Sequence, residues 1–184
     1  LKIFDRNEIA AGSSIYQIAR QPKFEKLDPV GKDRRGDFML LINGLPVIHV
    51  ELKKDGVPID KAIYQIKSYM HEGAFRGLFS LVQIFVAVTP KDMKYFANTG
   101  SAETLNKDYF FNWADFNNEA IGDWKTIASD FLSIPMAHQL IGYYTIADKK
   151  DDVLKVMRSY QIYATREIVD RVREKQRNNW SIKD

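Results

Sequence analysis

The apolar positions of the chain change their spacing several times, and each change marks an element. Residues 15–25, Ile-Tyr-Gln-Ile-Ala-Arg-Gln-Pro-Lys-Phe-Glu, alternate loosely and predict a strand, with Pro22 arguing for a sheet edge. Leu27–Arg35 reads as a polar loop. Phe38–Ile42 is a short apolar run that predicts a second strand, and Asn43-Gly44 after it is a strong turn signal. Val47–Lys53 then alternates: Ile48, Val50 and Leu52 face one way, and Val47, His49, Glu51 and Lys53 the other. The two runs make a β-hairpin.

Asp55-Gly56 ends that alternation, and Pro58 suits the first turn of a helix. Ile59, Ala62, Ile63, Ile66 and Met70 recur at helical spacing, with Gly73 as the stop. Leu81–Thr89 is almost wholly apolar and predicts a central strand buried on both faces. Met93–Asn98 predicts a shorter strand, while the aromatic stretch Phe110–Phe116 fits no single element. Glu119–Leu132 and Pro135–Tyr144 read as helices, Asp148–Asp152 as a charged break, and Tyr160–Arg177 as a strongly charged helix. Strands interleaved with helices give an α/β fold. The charged break divides it into a body at 1–148 and a helical lead-in at 149–184.

Composition narrows the chemistry. The chain has 184 residues and no cysteine, which removes disulfides, thiolate zinc sites and a Cys nucleophile together. No apolar run is long enough for a membrane helix, and no signal peptide stands at the start, so a cytoplasmic protein without a membrane partner is expected. The absence of an initiator Met suggests a start inside a longer protein. The net charge is +3. Residues 149–184 carry ten Lys/Arg against six Asp/Glu, while residues 1–148 carry 17 against 18, so the body is not generally basic. One local cluster stands out: Arg20, Lys23, Lys26, Lys32, Arg34 and Arg35 could follow a phosphate backbone, though a solvated loop is the simpler account.

The chemistry-bearing set sits on the hairpin. Alternation puts Glu51 and Lys53 on one face, and Asp37 stands where the partner strand begins. A two-residue loop at Asn43-Gly44 with regular pairing would set Asp37 opposite Val50, on the wrong face. A three-residue loop, or a bulge near Pro46, sets it opposite Glu51. The longer loop or the bulge is therefore expected, since a slip of one residue would separate the carboxylates. Two carboxylates brought together repel unless a cation lies between them, and oxygen donors without thiolate suit Mg²⁺ or Mn²⁺. With Lys53 beside them, these are parts suited to phosphodiester hydrolysis. Glu-x-Lys alone is usually a solvated strand face, and Gln65 with Tyr69, one helical turn apart, could be ordinary surface positions. His49 shares the polar face of Glu51, and a satisfied or solvent-facing histidine is its simpler reading. His71 and His138 lack ligand spacing. Lys61 and Lys67 suit a wet helix face, and Phe110, Phe111 and Trp113 suit the core better than base stacking.

Gly36-Asp37 … Glu51-Leu52-Lys53 resembles the PD-(D/E)xK nuclease motif, and Gln65-x-x-x-Tyr69 is similar to the accessory motif of one branch. The wider string Arg34-Arg35-Gly36-Asp37-Phe38 … Asn43-Gly44-Leu45-Pro46-Val47 … Glu51-Leu52-Lys53 resembles the N-terminal part of the type I restriction enzyme R subunit. Tyr95–Asn98 and Val156–Gln161 look like the same family. The resemblance implies a restriction-endonuclease-like mixed sheet flanked by helices, followed by a lead-in to an ATP-driven translocase. It implies that Asp37 and Glu51 bind Mg²⁺, that Lys53 completes the catalytic set, and that Gln65 and Tyr69 contact DNA or order the site. It places Arg158, Tyr160 and Gln161 at the start of the translocase, where the family's Gln recognises the adenine of ATP. Double-stranded DNA and the methyltransferase and specificity subunits are the implied partners. In place of the Pro that often precedes the Asp stands Gly36, a change expected to alter backbone freedom and not ligand chemistry. The chain contains no G-x-x-x-x-G-K-[ST] phosphate loop, so ATP hydrolysis by these residues alone is not expected. Two other readings stay open: a free-standing nuclease or resolvase with the same motif, and an inactive DNA-binding or assembly module on the same scaffold.

Overall fold

The computed structural model describes residues 14–24 and 33–177. Five strands form one mixed sheet in the order β1-β2-β3-β4-β5: β1 Tyr16–Arg20, β2 Phe38–Ile42, β3 Leu45–Leu52, β4 Ile84–Thr89 and β5 Asp92–Ala97. Neighbours are antiparallel except β3 and β4, which run parallel. A parallel pair needs a crossover, and helix α1, Asp60–His71, supplies it. The hairpin expected at 38–53 is thus the middle of the sheet, and the strand expected near residue 16 is its edge. Most of the polar loop expected at 27–35, with Lys26 and Lys32, lies outside the described residues.

Both faces of the sheet are covered, which is why β4 is buried at all six positions. On one face Met39, Phe85, Ala87 and Phe96 pack against Ala62, Ile63, Ile66 and Tyr69 of α1, with Phe24 and Val82 at the rim. On the other, Ile48, Val50, Val86 and Tyr95 pack against Trp113, Phe131 and Leu140. Helix α1 ends where Gly73 predicts. Gly73 has φ +67°, the Gly73 amide donates to Met70 and the Ala74 amide donates to Tyr69, which satisfies carbonyls the last turn would leave bare.

Several elements differ from expectation. The helix expected over Glu119–Leu132 is only α2, Trp124–Ser129. Ala120 pairs with Ala114 in a β-bridge, and Asp123 caps α2 by accepting from the Thr126 amide, so the helix cannot start earlier. The second helix, α3, spans Ile134–Gly142. The charged break at Asp148–Asp152 is the turn of an unforeseen hairpin, β6 Thr145–Asp148 with β7 Val153–Val156. The expected division after residue 148 therefore falls at that turn. Val156 and Ile162 beyond it are buried with Trp113, and the Tyr163 hydroxyl donates to the Ala114 carbonyl. Helix α4, Ser159–Arg177, carries the charged C-terminal segment. Among the described residues no helix is long and apolar enough to cross a membrane.

Candidate active site

The hairpin resolves the question of register. Asn43 and Gly44 form a two-residue turn with φ +53° and +80°, the left-handed pair that a tight hairpin needs. Pairing runs Ile42↔Leu45 and Leu41↔Pro46, then jumps to Leu40↔Ile48, Met39↔His49 and Phe38↔Val50. Val47 is the extra residue of a β-bulge, next to Pro46 as expected. Continued by one step, that register would set Asp37, the residue before β2, across from Glu51 on the same face. The bulge also moves Val47 itself, which packs with Ile48 and Val50 and not with His49.

Asp37 closes the open end of the hairpin. Its backbone carbonyl accepts from the Gln21 amide at 2.8 Å, and its Oδ2 accepts from the Leu52 amide at 2.6 Å. Glu51 lies one strand inward with its side chain 1% exposed. Its Oε1 accepts from Lys53 Nζ at 3.1 Å, and its Oε2 has no hydrogen-bond partner among the described residues. Lys53 Nζ also donates to the Leu52 carbonyl at 3.1 Å and to Gln65 Oε1 at 2.6 Å, which uses all three ammonium protons. The Gln65 amide donates to the Tyr69 hydroxyl, and that hydroxyl donates to the Arg35 carbonyl at 2.8 Å. One polar chain thus runs from Glu51 through Lys53, Gln65 and Tyr69 back to the segment that carries Asp37. Tyr69 is 3% exposed, a core residue with a polar tip and not a surface position beside the stripe. Burial pushes its phenol above the ordinary tyrosine range.

The segment before Asp37 is anchored to α1 a second time. Arg34 Nε and Nη2 each donate to one Glu72 oxygen at 2.6 Å, and Ser68 Oγ donates to Oε1. This fork holds the Glu72 carboxyl below the usual carboxylate range. Lys23 pairs with Asp33 at 3.2 Å. Two members of the expected basic cluster therefore already have acidic partners.

His49 is neither solvated nor satisfied. It is fully buried, neither ring nitrogen has a hydrogen-bond partner among the described residues, and Nε2 stands 3.5 Å from Glu51 Oε2. Phe24, Tyr69, Phe75 and Phe85 surround its ring edge-on. Alternation gave the face, but these aromatic residues come from separate segments, and no spacing rule joins them. His138, also buried, meets the Tyr16 hydroxyl at 2.8 Å through Nδ1. Arg158, Tyr160 and Gln161 lie at the start of α4, outside this cluster. The Arg158 guanidinium sits 4.8 Å from the Phe111 ring centroid, and Gln161 Oε1 accepts from the Arg158 amide at 2.9 Å, so this glutamine caps the helix.

Asp37 and Glu51 fit a hard divalent cation. They are oxygen donors on adjacent segments, Asp37 being bonded to the Leu52 amide next to Glu51, and Glu51 Oε2 is a buried carboxylate oxygen without a hydrogen-bond partner among the described residues. Among the described residues no group of three or more His, Cys, Asp or Glu side chains forms a metal cluster. A pair is what Mg²⁺ ordinarily takes, because it keeps several of its waters.

The family described as type I restriction enzyme R protein N terminus matches residues 1–104. Over 146 residues the chain is 34% identical to the endonuclease subunit of a type I restriction enzyme from Staphylococcus aureus strain COL, covering 79% of this chain and 15% of that protein. It is 36% identical over 141 residues to such a subunit from Escherichia coli, the EcoprrI enzyme, covering 76% and 45%. A subunit from Staphylococcus saprophyticus is 30% identical over 164 residues, covering 87% and 17%. The chain thus spans less than half the length of these relatives. With its mixed sheet, its crossover helix and the matched segment holding Asp37, Glu51, Lys53, Gln65 and Tyr69, this chain belongs to the family of type I restriction enzyme R protein N termini.

Proposed function

We propose that this domain is a Mg²⁺-dependent endonuclease that hydrolyses phosphodiester bonds of double-stranded DNA, with Asp37 and Glu51 holding the ion and Lys53 completing the catalytic set. The observation that supports it best is the state of Glu51: buried, gripped by Lys53 on one oxygen and without a hydrogen-bond partner on the other among the described residues, with Asp37 held at the neighbouring Leu52 amide. A buried carboxylate with a bare oxygen is costly unless something positive occupies the gap. Bound there, Mg²⁺ would polarise a phosphate oxygen and acidify a coordinated water. Lys53 supplies a positive charge where negative charge develops on the phosphate. Since its three protons are all engaged, it must exchange one partner to reach a phosphate or a water. Gln65 and Tyr69 act by holding Lys53 and by tying the Asp37 segment to α1. Burial of Tyr69 favours that ordering role over contact with DNA.

In the whole protein, cleavage would follow ATP-driven translocation in the cytoplasm, with Arg158, Tyr160 and Gln161 at the adenine site and with methyltransferase and specificity subunits as partners. The test is Mg²⁺-dependent nicking of DNA by the complete complex. Lys53→Ala should cut about a hundredfold more slowly or worse, the scale of losing one charge-stabilising donor. Equal cleavage by both proteins would remove Lys53 from the mechanism.

A further inference from the structure

Beneath Glu51 lies a second pair of unmatched groups. His49 Nε2 and Glu51 Oε2 are both buried and both without hydrogen-bond partners among the described residues, and they face each other at 3.5 Å. Burying either atom unpaired is unfavourable, and a small approach would satisfy both. Phe24, Phe75 and Phe85 offer the ring no hydrogen-bonding atom, and the Tyr69 hydroxyl is engaged by Gln65 and the Arg35 carbonyl, so Glu51 is the acceptor in reach. Gly36 makes the arrangement possible. A Cβ on residue 36 would stand 2.5 Å from His49 Cε1 and 3.1 Å from Nδ1, closer than packed atoms come. Gly36 is not among the residues with positive φ, so its lack of a side chain provides clearance and not backbone freedom.

We infer that His49 is a positioning residue for the metal-binding carboxylate: as the cation binds, the 3.5 Å gap closes and Nε2–H donates to Glu51 Oε2, and Gly36 is required because it leaves room for that imidazole. Lys53 and His49 then hold Glu51 from its two oxygens. The carboxylate is then fixed in one rotamer, with lone pairs left over for a cation. This inference rests on the proposed cation site. Partners that orient a metal ligand from behind commonly contribute about ten- to a hundredfold in metal affinity.

Mn²⁺ binding to the whole chain, measured by electron paramagnetic resonance, tests it. His49→Phe keeps a flat ring that suits the aromatic surroundings but cannot donate, and His49→Gln keeps a donor near the Nε2 position. With folding checked by circular dichroism, His49→Phe should weaken Mn²⁺ binding about tenfold or more, while His49→Gln should stay within about threefold of wild type. Gly36→Ala should weaken binding by displacing the ring, and Gly36→Ala with His49→Ala should be no weaker than His49→Ala alone. Folded His49→Phe that binds Mn²⁺ as tightly as wild type, or additive losses in the double variant, overturns the inference while leaving the cation site standing. Wild type that binds no Mn²⁺ overturns the site and the inference together.

Discussion

Replacing Glu51 by Gln separates what this residue does for the fold from what it does for a cation. The wild-type side chain is 1% exposed, with one oxygen paired to Lys53 and the other to nothing among the described residues. An unsatisfied buried polar atom costs about 1–3 kcal/mol, and more when charged, whereas exchanging a charged for a neutral hydrogen bond forfeits about 1 kcal/mol. The substituted glutamine would keep a carbonyl oxygen for Lys53, lose the buried charge and present an amide group toward His49. Metal-free Glu51→Gln should therefore be more stable than metal-free wild type by about 1 kcal/mol, or about 3 °C in Tm for a domain of this size. Mg²⁺ reverses the order. At about ten times Kd, binding to the native state alone adds about 1.4 kcal/mol to wild type and nothing to the variant. Thermal unfolding followed by circular dichroism, in EDTA and then in Mg²⁺, reads both effects. A variant less stable than wild type in EDTA, or one raised equally by Mg²⁺, would refute the reasoning.

Other substitutions probe the supports. Tyr69→Phe removes the hydroxyl that joins Gln65 to the Arg35 carbonyl and should cost about 1–2 kcal/mol in urea unfolding; an unchanged midpoint would mean that the bridge contributes nothing. Trp113→Ala empties a fully buried site beside Tyr95 and Phe131, removes the indole donor to Asp130 and should cost about 3–5 kcal/mol, read by the same unfolding curves. Glu72 has its folded-state affinity for protons lowered by Arg34, so its contribution is present above the ordinary carboxylate range and is lost as pH falls through the depressed value. Because the pair is partly exposed, Glu72→Gln should cost no more than about 1 kcal/mol at pH 7 and nothing at pH 2–3, which stability measured against pH would show.

The hairpin was legible in the sequence because parity is a strict constraint. Asp37 and Glu51 can share a face only if one residue is added between them, and Val47 is that residue. Alternation likewise placed His49, Glu51 and Lys53 together, and Gly73 announced the end of α1. Three features depended on contacts between distant segments and were not legible. The shortened α2 follows from the Ala114–Ala120 bridge and from Gly122, where a Cβ would stand 2.1 Å from the Lys91 carbonyl oxygen. The β6–β7 hairpin has four-residue strands around a turn rich in charge, too short for a clear alternating pattern. The setting of His49 needs Phe24, Phe75 and Phe85 from three separate places in the chain. Gly36 reads in the sequence as a matter of backbone freedom, whereas its φ is not positive and a Cβ there would stand 2.5 Å from the His49 ring.

The most direct measurement is anomalous diffraction from crystals of the chain soaked in Mn²⁺. A single strong peak within coordination distance of both Asp37 and Glu51, absent from crystals of Asp37→Asn, is the predicted result. A peak bound elsewhere, or no peak between those two carboxylates at saturating Mn²⁺, would contradict the account.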